Sequence, residues 1–481
     1  MGHDSLPVDN PLPSYWTSVR DDFHNHRTTP ELPSHTDVCI IGAGYAGTAT
    51  AWHLARDRDS ARPRQSITIL EARGVCDGAT GRNGGHLRPD LYGHIPKYIE
   101  RNGLEAAVEL AEFEIAHVPA IKEFVEEEGI DCDFVLARSV DVWSNQEAAD
   151  AAQKVYEQMS SRSLPYMRDV FFKHGPEAET ISGVKDCKAA ASFTAGMLWP
   201  YKLITQVLKN LVQSGDLNLQ THAPVTEIKP AEQGGFTVKT ARGTIHANKI
   251  VHANNAYVSN LLPEYTKNII PCKGICCRIA VPEDKVAPHL PNSYIERSED
   301  RTLSYLIPRP DGSIIVGGAS SKFMPYREQW YDNVDDSVLI EAAKDYYTGY
   351  MQRTFRGWEN SGAEVTDIWT GVMGYSYDSN AHIGEVPNRP GQYIVAGFNG
   401  HGMPVIWLGA KGLAKMINED VPFEKSGVPR LFKTTRERIE RAQQGREEYG
   451  DILGDGSLTG HADVIKQAQV DVQSVAAAST V

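Results

Sequence analysis

Three glycines and an acid carry the first chemical signal. In "GAGYAG", Gly42, Gly44 and Gly47 have the spacing G-x-G-x-x-G, after the β-rich run "TDVCII" and before the helical run "YAGTATAWHLARD". Gly42 permits a tight turn, Gly44 leaves room for a pyrophosphate beside the backbone, and Gly47 lets the helix pack on the strand. The helix start adds unpaired N–H groups and partial positive charge where phosphates would lie. A second β-rich run, "SITILEA", ends at Glu71, whose carboxylate can accept hydrogen bonds from ribose hydroxyls. Strand, helix, strand and acid in that order predict a βαβ unit that binds a dinucleotide.

Two more glycine-rich stretches bear on which dinucleotide. "GVCDGATGRNGGH", from Gly74 to His86, is a loop that a long cofactor running past its pyrophosphate could touch along its backbone. Near the far end, "YIVAGFNGHGMP" gives another strand, a glycine turn and a helix, with Gly397, Gly400 and Gly402 in reversed spacing. That order is poor for NAD and suits a second helix N-terminus facing an electron-rich ring edge, as in a flavin.

The elements that must position these groups alternate along the chain. Residues 1–35, with five prolines, read as an extended arm. Residues 103–129 show helical apolar spacing at Leu104, Val108, Ala111 and Ile115, with Pro119 as a break and Gly129 as a stop. Another helix is predicted from Gln146 to about Ser161. Helix and short strands from Ala191 to Ala256 return to the nucleotide-binding layer. Strands follow from Ile269 to Gly318, with a hairpin turn at Pro310-Asp311-Gly312, and then a helix from Val338 to Phe355. Beyond Pro429 the chain reads as a charged, solvated helix with a frayed end.

Composition narrows the classes. With Lys+Arg 48 against Asp+Glu 62 and a net charge of −14, the surface repels nucleic-acid backbones. No apolar run reaches the roughly 18 residues of a membrane span, and the start lacks the regions of a signal peptide. The ending "AASTV" lacks a Ser-Lys-Leu type address, so a cytoplasmic location is expected, with peroxisomes left open to other signals. The seven cysteines, including the three in "PCKGICC", lack zinc spacing and read as reduced, buried thiols. No metal is expected.

The combination of "PSYW", "DVCIIGAGYAG", "GATGRNGGH", "VHANNAY", "IWTG" and "GFNGHG" resembles the FAD-dependent D-amino acid oxidase superfamily, nearest its gamma-glutamylputrescine oxidase-like members. The resemblance implies an α/β (α+β) architecture of two interleaved domains. A Rossmann-like FAD-binding domain would come from 36–100, 191–265 and 365–429. A mostly antiparallel β-sheet substrate domain would come from 101–190 and 266–364, followed by a C-terminal helix and tail at 430–481. By motif match, Gly42, Gly44, Tyr45, Ala46, Gly47, Glu71, Ala72 and Arg73 would hold the ADP half, with Val225 at the adenine. Ala79, Thr80, Arg82, Asn83, Gly84, Gly85 and His86 would follow the pyrophosphate toward the flavin. Gly371, Gly397, Asn399, Gly400, His401, Gly402 and Met403 would lie against the ring.

Three departures shape the expected chemistry. Cysteinyl-linked relatives carry a cysteine where "VMGYS" has Met373, and His86 lies beyond the histidyl-linked position, so FAD is expected to be non-covalent. The run "SIIVGG" has no lysine where sarcosine oxidases place one, leaving Lys273 as a nearby substitute or a surface residue. Molecular oxygen is therefore an unproven acceptor. No arginine follows Trp369, Thr370 and Gly371, which disfavours a clamped amino-acid carboxylate. His401, Tyr305, Tyr375 and Lys273 are the candidates for chemistry, with Tyr257 and Tyr377 as further lining. The expected reaction is hydride transfer from the carbon of a primary or secondary amine to flavin N5, giving an imine. Oxidation of a cyclic, alkaloid-like amine is the alternative, and a flavin-binding protein without turnover a distant third.

Overall fold

A computed structural model describes residues 6–57 and 63–444. In its first sheet, Gln392–Ala396, Gly243–His252, His35–Ile41, Ile67–Leu70 and Asn218–Gln220 lie side by side and parallel. Val38, Ile40, Ile69, Val251 and Ile394 are buried, as residues of a parallel sheet covered on both faces must be. His382–Glu385 closes one edge antiparallel, and the pair Val225–Pro230 and Phe236–Thr240 extends from 243–252. Helix Tyr45–Arg56 packs on helix Ile406–Glu419 over this sheet. Because the central strands are parallel, the loops that leave them at Gly42, Glu71, Ala253 and Gly397 emerge on one side. That is where open α/β sheets bind ligands.

The second sheet runs Glu364–Ser376, Ile269–Ala280, Ile314–Gly318, Leu303–Pro308, Ser293–Arg297, Val135–Trp143, Ala189–Met197 and His86–Leu87. Neighbours along it are antiparallel except 293–297 against 135–143. The predicted turn forms at Pro310-Asp311-Gly312, where Gly312 N–H donates to Arg309 O. The α/β architecture with one parallel and one mostly antiparallel sheet is as expected. Strand Ala189–Met197 crosses the expected border at 190/191, and Glu364–Ser376 lies wholly in the second sheet.

Four local expectations need correction. The arm is packed rather than merely extended: Trp16 is fully buried, donates through Nε1 to Asn83 O, and accepts from Trp199 Nε1 at 2.7 Å. Helix Leu104–Glu127 continues through Pro119, which sits on the exposed side, where a missing N–H faces water. Its buried face is Ala107, Leu110, Ala111, Glu114, Val118 and Ile121, whereas Leu104 is exposed, so the apolar stripe was read about one position out of phase. From 338 to 355 only the short turns Glu341–Ala343 and Tyr350–Thr354 form. Gly349 at φ +66° interrupts that run, and burial of Tyr347 and Tyr350 overrides helix propensity.

The seven cysteines are all free and buried. Among the described residues no helix is long and apolar enough to cross a membrane, and no cluster of ligating side chains could hold a metal. Within the described residues the charged helix expected after Pro429 spans Arg436–Gln444, and the tail beyond 444 lies outside them.

Candidate functional site

A cavity of about 520 Å³ runs from the glycine turn to the antiparallel sheet. At the turn, Gly42 has φ +109°, and a Cβ there would stand 2.9 Å from Ala253 O. A Cβ on Gly47 would overlap Gly42 O, so Gly47 serves the packing of helix on strand and does not itself face the cavity. Tyr45 N–H donates to Thr80 Oγ1 at 2.8 Å, which ties the 79–86 loop to the helix start. Glu71 accepts from the N–H groups of Ala43 at 2.7 Å and Arg73 at 2.9 Å. Burial raises its pKa, and those two bonds oppose the rise. Ile41, Leu70 and Val225 form an apolar wall beside it, suited to a flat base.

Tyr45, Asn254 and Tyr257 also line the cavity, and their Oη, Oδ1 and Oη atoms are buried and without a hydrogen-bond partner among the described residues. Buried polar atoms are nearly always paired, so three orphans around one cavity are consistent with a polar ligand there. The Gly42 cradle, the Glu71 carboxylate and these three atoms together fit a dinucleotide.

All three arginines that line the cavity are already engaged. Arg73 makes two bonds to the fully buried Asp336, at 3.0 and 3.1 Å, so its guanidinium braces the fold. Arg82, expected beside the pyrophosphate, instead spends its donors on the carbonyls of Asp77, Thr370 and Leu12. Arg88, which sequence reasoning missed, reaches the cavity from the end of strand 86–87 and donates to both oxygens of Asp141 at 2.9 and 2.7 Å. Tyr92 Oη adds a third bond to Asp141. Both bonds come from Nη2, and Arg88 Nε is buried without a hydrogen-bond partner among the described residues.

At the antiparallel-sheet end, the Tyr305 ring lies between Gly84 and Gly317, where a Cβ on either glycine would overlap it. Its Oη is 2.9 Å from Cys276 Sγ, and burial pushes the Cys276 thiol up to about 12. Tyr375 Oη stands 2.9 Å from where a Cβ of Gly400 would lie. Lys273 is not a surface residue: it is 2% exposed, lines the cavity, and donates from Nζ to Val338 O at 3.1 Å. Burial lowers its pKa, with Asp335 and Asp336 opposing. Tyr257 lines the cavity, while Tyr377 lies in the core behind it.

Histidines cluster between the two ends. His401 Nε2 is 2.8 Å from Oε2 of Glu114, a second residue that sequence reasoning missed, and the same oxygen accepts from Asp90 N–H at 2.7 Å. Asp90 in turn accepts from the N–H groups of Gly93 and His94 and pairs with His94 Nδ1 at 2.8 Å. Burial works against charge on Asp90, yet His94 and Arg88 hold its carboxyl well below the usual range. His86 Nε2 is 2.7 Å from Ser293 Oγ, and burial keeps that imidazole neutral, with Arg88 and His401 adding to the effect. Gly371, Asn399, Gly400, Gly402 and Met403 line the cavity, as do Ala46, Ala72, Ala79 and Asn83. Gly397 and Gly85 lie outside its wall. Gly397 donates to Asn255 Oδ1, and a Cβ on Gly85 would crowd Leu198 O.

The chain is 23% identical over 389 residues to gamma-glutamylputrescine oxidoreductase of Escherichia coli (strain K12), covering 80% of this chain and 84% of that protein. Its fold is similar to that of glycine oxidase from Geobacillus kaustophilus, with TM-score 0.65 at 19% identity over 84% of this chain and 99% of that one. It is also similar to L-proline dehydrogenase from P. horikoshii, with TM-score 0.64 at 20% identity over 81% and 95%. The sequence pattern of the family described as "DAO: FAD dependent oxidoreductase" matches residues 37–416, and with a cavity that fits the dinucleotide this chain belongs to that FAD-dependent family.

Proposed function

We propose that this flavoenzyme oxidises the C–N bond of a primary or secondary amine that carries no carboxylate on the reacting carbon, giving an imine that water hydrolyses. The observation that carries the reading is the engagement of Arg73, Arg82 and Arg88 by groups of the chain itself. A substrate carboxylate would need a free bidentate partner; Arg73 and Arg82 spend their donors within the chain, and the charge of Arg88 is already neutralised by Asp141 through Nη2. Tyr305, Tyr375, Phe323 and Trp330 instead offer apolar and aromatic surface, which suits the carbon chain of an amine and its cation–π contacts.

When bound, FAD supplies the two-electron acceptor for the hydride that leaves the carbon next to nitrogen. The chain's part is to bind, orient and exclude water. Glu71 and the 42–47 turn would hold the ADP half, and Gly400, Gly402 and Met403 would bear on the ring. Met373 occupies the place a linking cysteine would need, and His86 is committed to Ser293, which supports non-covalent FAD. Flavin staying with acid-precipitated protein would overturn that point.

The test is an anaerobic screen of purified protein against γ-glutamylputrescine, polyamines, N-methyl amino acids and cyclic amines, following loss of oxidised-flavin absorbance. Bleaching by amines without a carboxylate next to nitrogen is expected. Preferential bleaching by α-amino acids would overturn the reading. Readmitting air then distinguishes oxygen from another acceptor.

A further inference from the structure

Hydride can leave only a carbon whose nitrogen holds a free electron pair, whereas an alkyl amine near neutral pH is protonated, its pKa resembling the lysine value of about 10.4. A proton must therefore move first, and the cavity offers few groups to take it. Lys273 spends Nζ on Val338 O at 3.1 Å, and His117, behind the lining, uses both nitrogens, Nδ1 toward Phe113 O and Nε2 accepting from Leu408 N–H. His86 faces Ser293, His94 is paired with Asp90, and Asp90 already accepts from two N–H groups. Tyr305 and Tyr375 are made weaker acids by burial.

His401 differs from all of these. Its side chain is 34% exposed in the cavity wall, and Nε2 meets the buried Glu114 carboxylate at 2.8 Å. A carboxylate only accepts, so Nε2 carries the hydrogen and the lone pair is left on Nδ1, which makes no hydrogen bond among the described residues. Asp90 N–H fixes the same Glu114 oxygen, so the acid cannot swing away.

We infer that His401 Nδ1 is the base that accepts the proton of the substrate ammonium, and that Glu114 is the positioning residue that sets its tautomer. The inference rests on the amine reading above. In the step, one ammonium N–H bond breaks and one Nδ1–H bond forms. No electrons change hands, and Glu114 stabilises the resulting imidazolium until solvent takes the proton. The groups facing His401 are Glu114 and His117 from helix 104–127 and His86 from strand 86–87, with Asp90, Arg88 and Tyr98 behind them.

The experiment measures anaerobic flavin reduction by the bleaching amine from about pH 6 to about pH 10 in full-length, FAD-loaded wild type, His401→Asn and Glu114→Gln. The wild-type rate should rise with pH through one inflection. His401→Asn should lose that inflection and fall by about 10²-fold near pH 7, recovering toward the wild-type rate where the amine deprotonates unaided. Glu114→Gln should shift the inflection, and ¹⁵N NMR of the wild type should show His401 as the Nε2–H tautomer. Wild-type profiles in both variants, or an Nδ1–H tautomer in the wild type, would overturn the inference; if a variant loses its flavin, the tautomer alone decides. If no amine bleaches the wild type, the amine reading falls and this inference falls with it.

Discussion

At the turn end of the cavity the space for a ligand is shaped by backbone, at Gly42, Gly44 and the carboxyl ends of parallel strands, with the Glu71 carboxylate beside it. The charged side chains there, Arg73, Arg82 and Asp336, mostly brace one another. Away from the turn the surface is made by side chains from distant segments: His401 and Glu114 midway, then Tyr305 and Arg88 toward the antiparallel sheet, with Asp141 holding Arg88 from behind. The difference teaches where each end is vulnerable. Added volume or a lost brace breaks the first, while the second tolerates isosteric change in fold and registers it in chemistry.

The largest expected effect tests the backbone end. Gly47→Ala places a methyl on Gly42 O, and with backbone on both sides the clash cannot relax. Its cost should exceed the 1–3 kcal/mol usual for overpacking, at roughly 4 kcal/mol or more. Purified protein should be colourless and melt early, as flavin absorbance after gel filtration and a thermal scan will report. Gly78→Ala is the control for the fold: unlike Gly47 it lines the cavity, and a Cβ there meets no atom of the chain within 4 Å, so the melting temperature should be unchanged.

Asp336→Ala comes next. It strips Arg73 of its partner and leaves Arg82 beside an unneutralised charge, both guanidiniums being nearly inaccessible. Breaking a buried pair by removing one member costs about 3–5 kcal/mol. Urea unfolding should show that loss together with weaker FAD binding, whereas Glu114→Gln away from the turn should keep both close to wild type. Equal losses in the two variants would erase the contrast.

The turn end was legible because its chemistry is local. Three glycines, two β-rich runs and an acid at a strand end lie between Thr36 and Ala72 and need no tertiary information. Glu114, Arg88, Asp141 and Asp336 carry no such pattern. Asp336 lies in irregular chain just before a segment read as helix, and Arg88 meets Asp141 only because strands 86–87 and 135–143 both pair with 189–197. One signal was present and unused: Glu114 stands on the apolar stripe of its helix, four residues after Leu110 and four before Val118. A charge on a buried face demands a partner.

Two buried glutamates sharpen the comparison through pH. Glu71 is satisfied by backbone N–H groups, whereas Glu296, in the antiparallel sheet, has Tyr350 Oη at 3.4 Å. Burial raises Glu296 to about 7 from 4.5, with Tyr350 opposing. The fold thus favours its protonated form, so the stability it contributes is fully present below about 4.5 and is lost as pH rises through about 7. Glu296→Gln should match wild type near pH 4.5 and gain up to about 3 kcal/mol near pH 9. Melting temperatures that stay parallel across that range would rule this out.

Tyr305→Phe should have the smallest effect, and it asks whether that side chain matters by shape or by its hydroxyl. The ring fills the space between Gly84 and Gly317, and phenylalanine keeps that contact. The hydroxyl faces only the Cys276 thiol, a weak hydrogen-bond partner that stays neutral because burial holds it near 12. Removing it should change stability by less than about 1 kcal/mol and leave flavin bound. The kcat/KM for the bleaching amine should move by no more than the same energy, about fivefold. A far larger fall in kcat with the fold intact would move Tyr305 from the wall of the site into its chemistry, because a group that only fills space cannot lose rate on losing one oxygen.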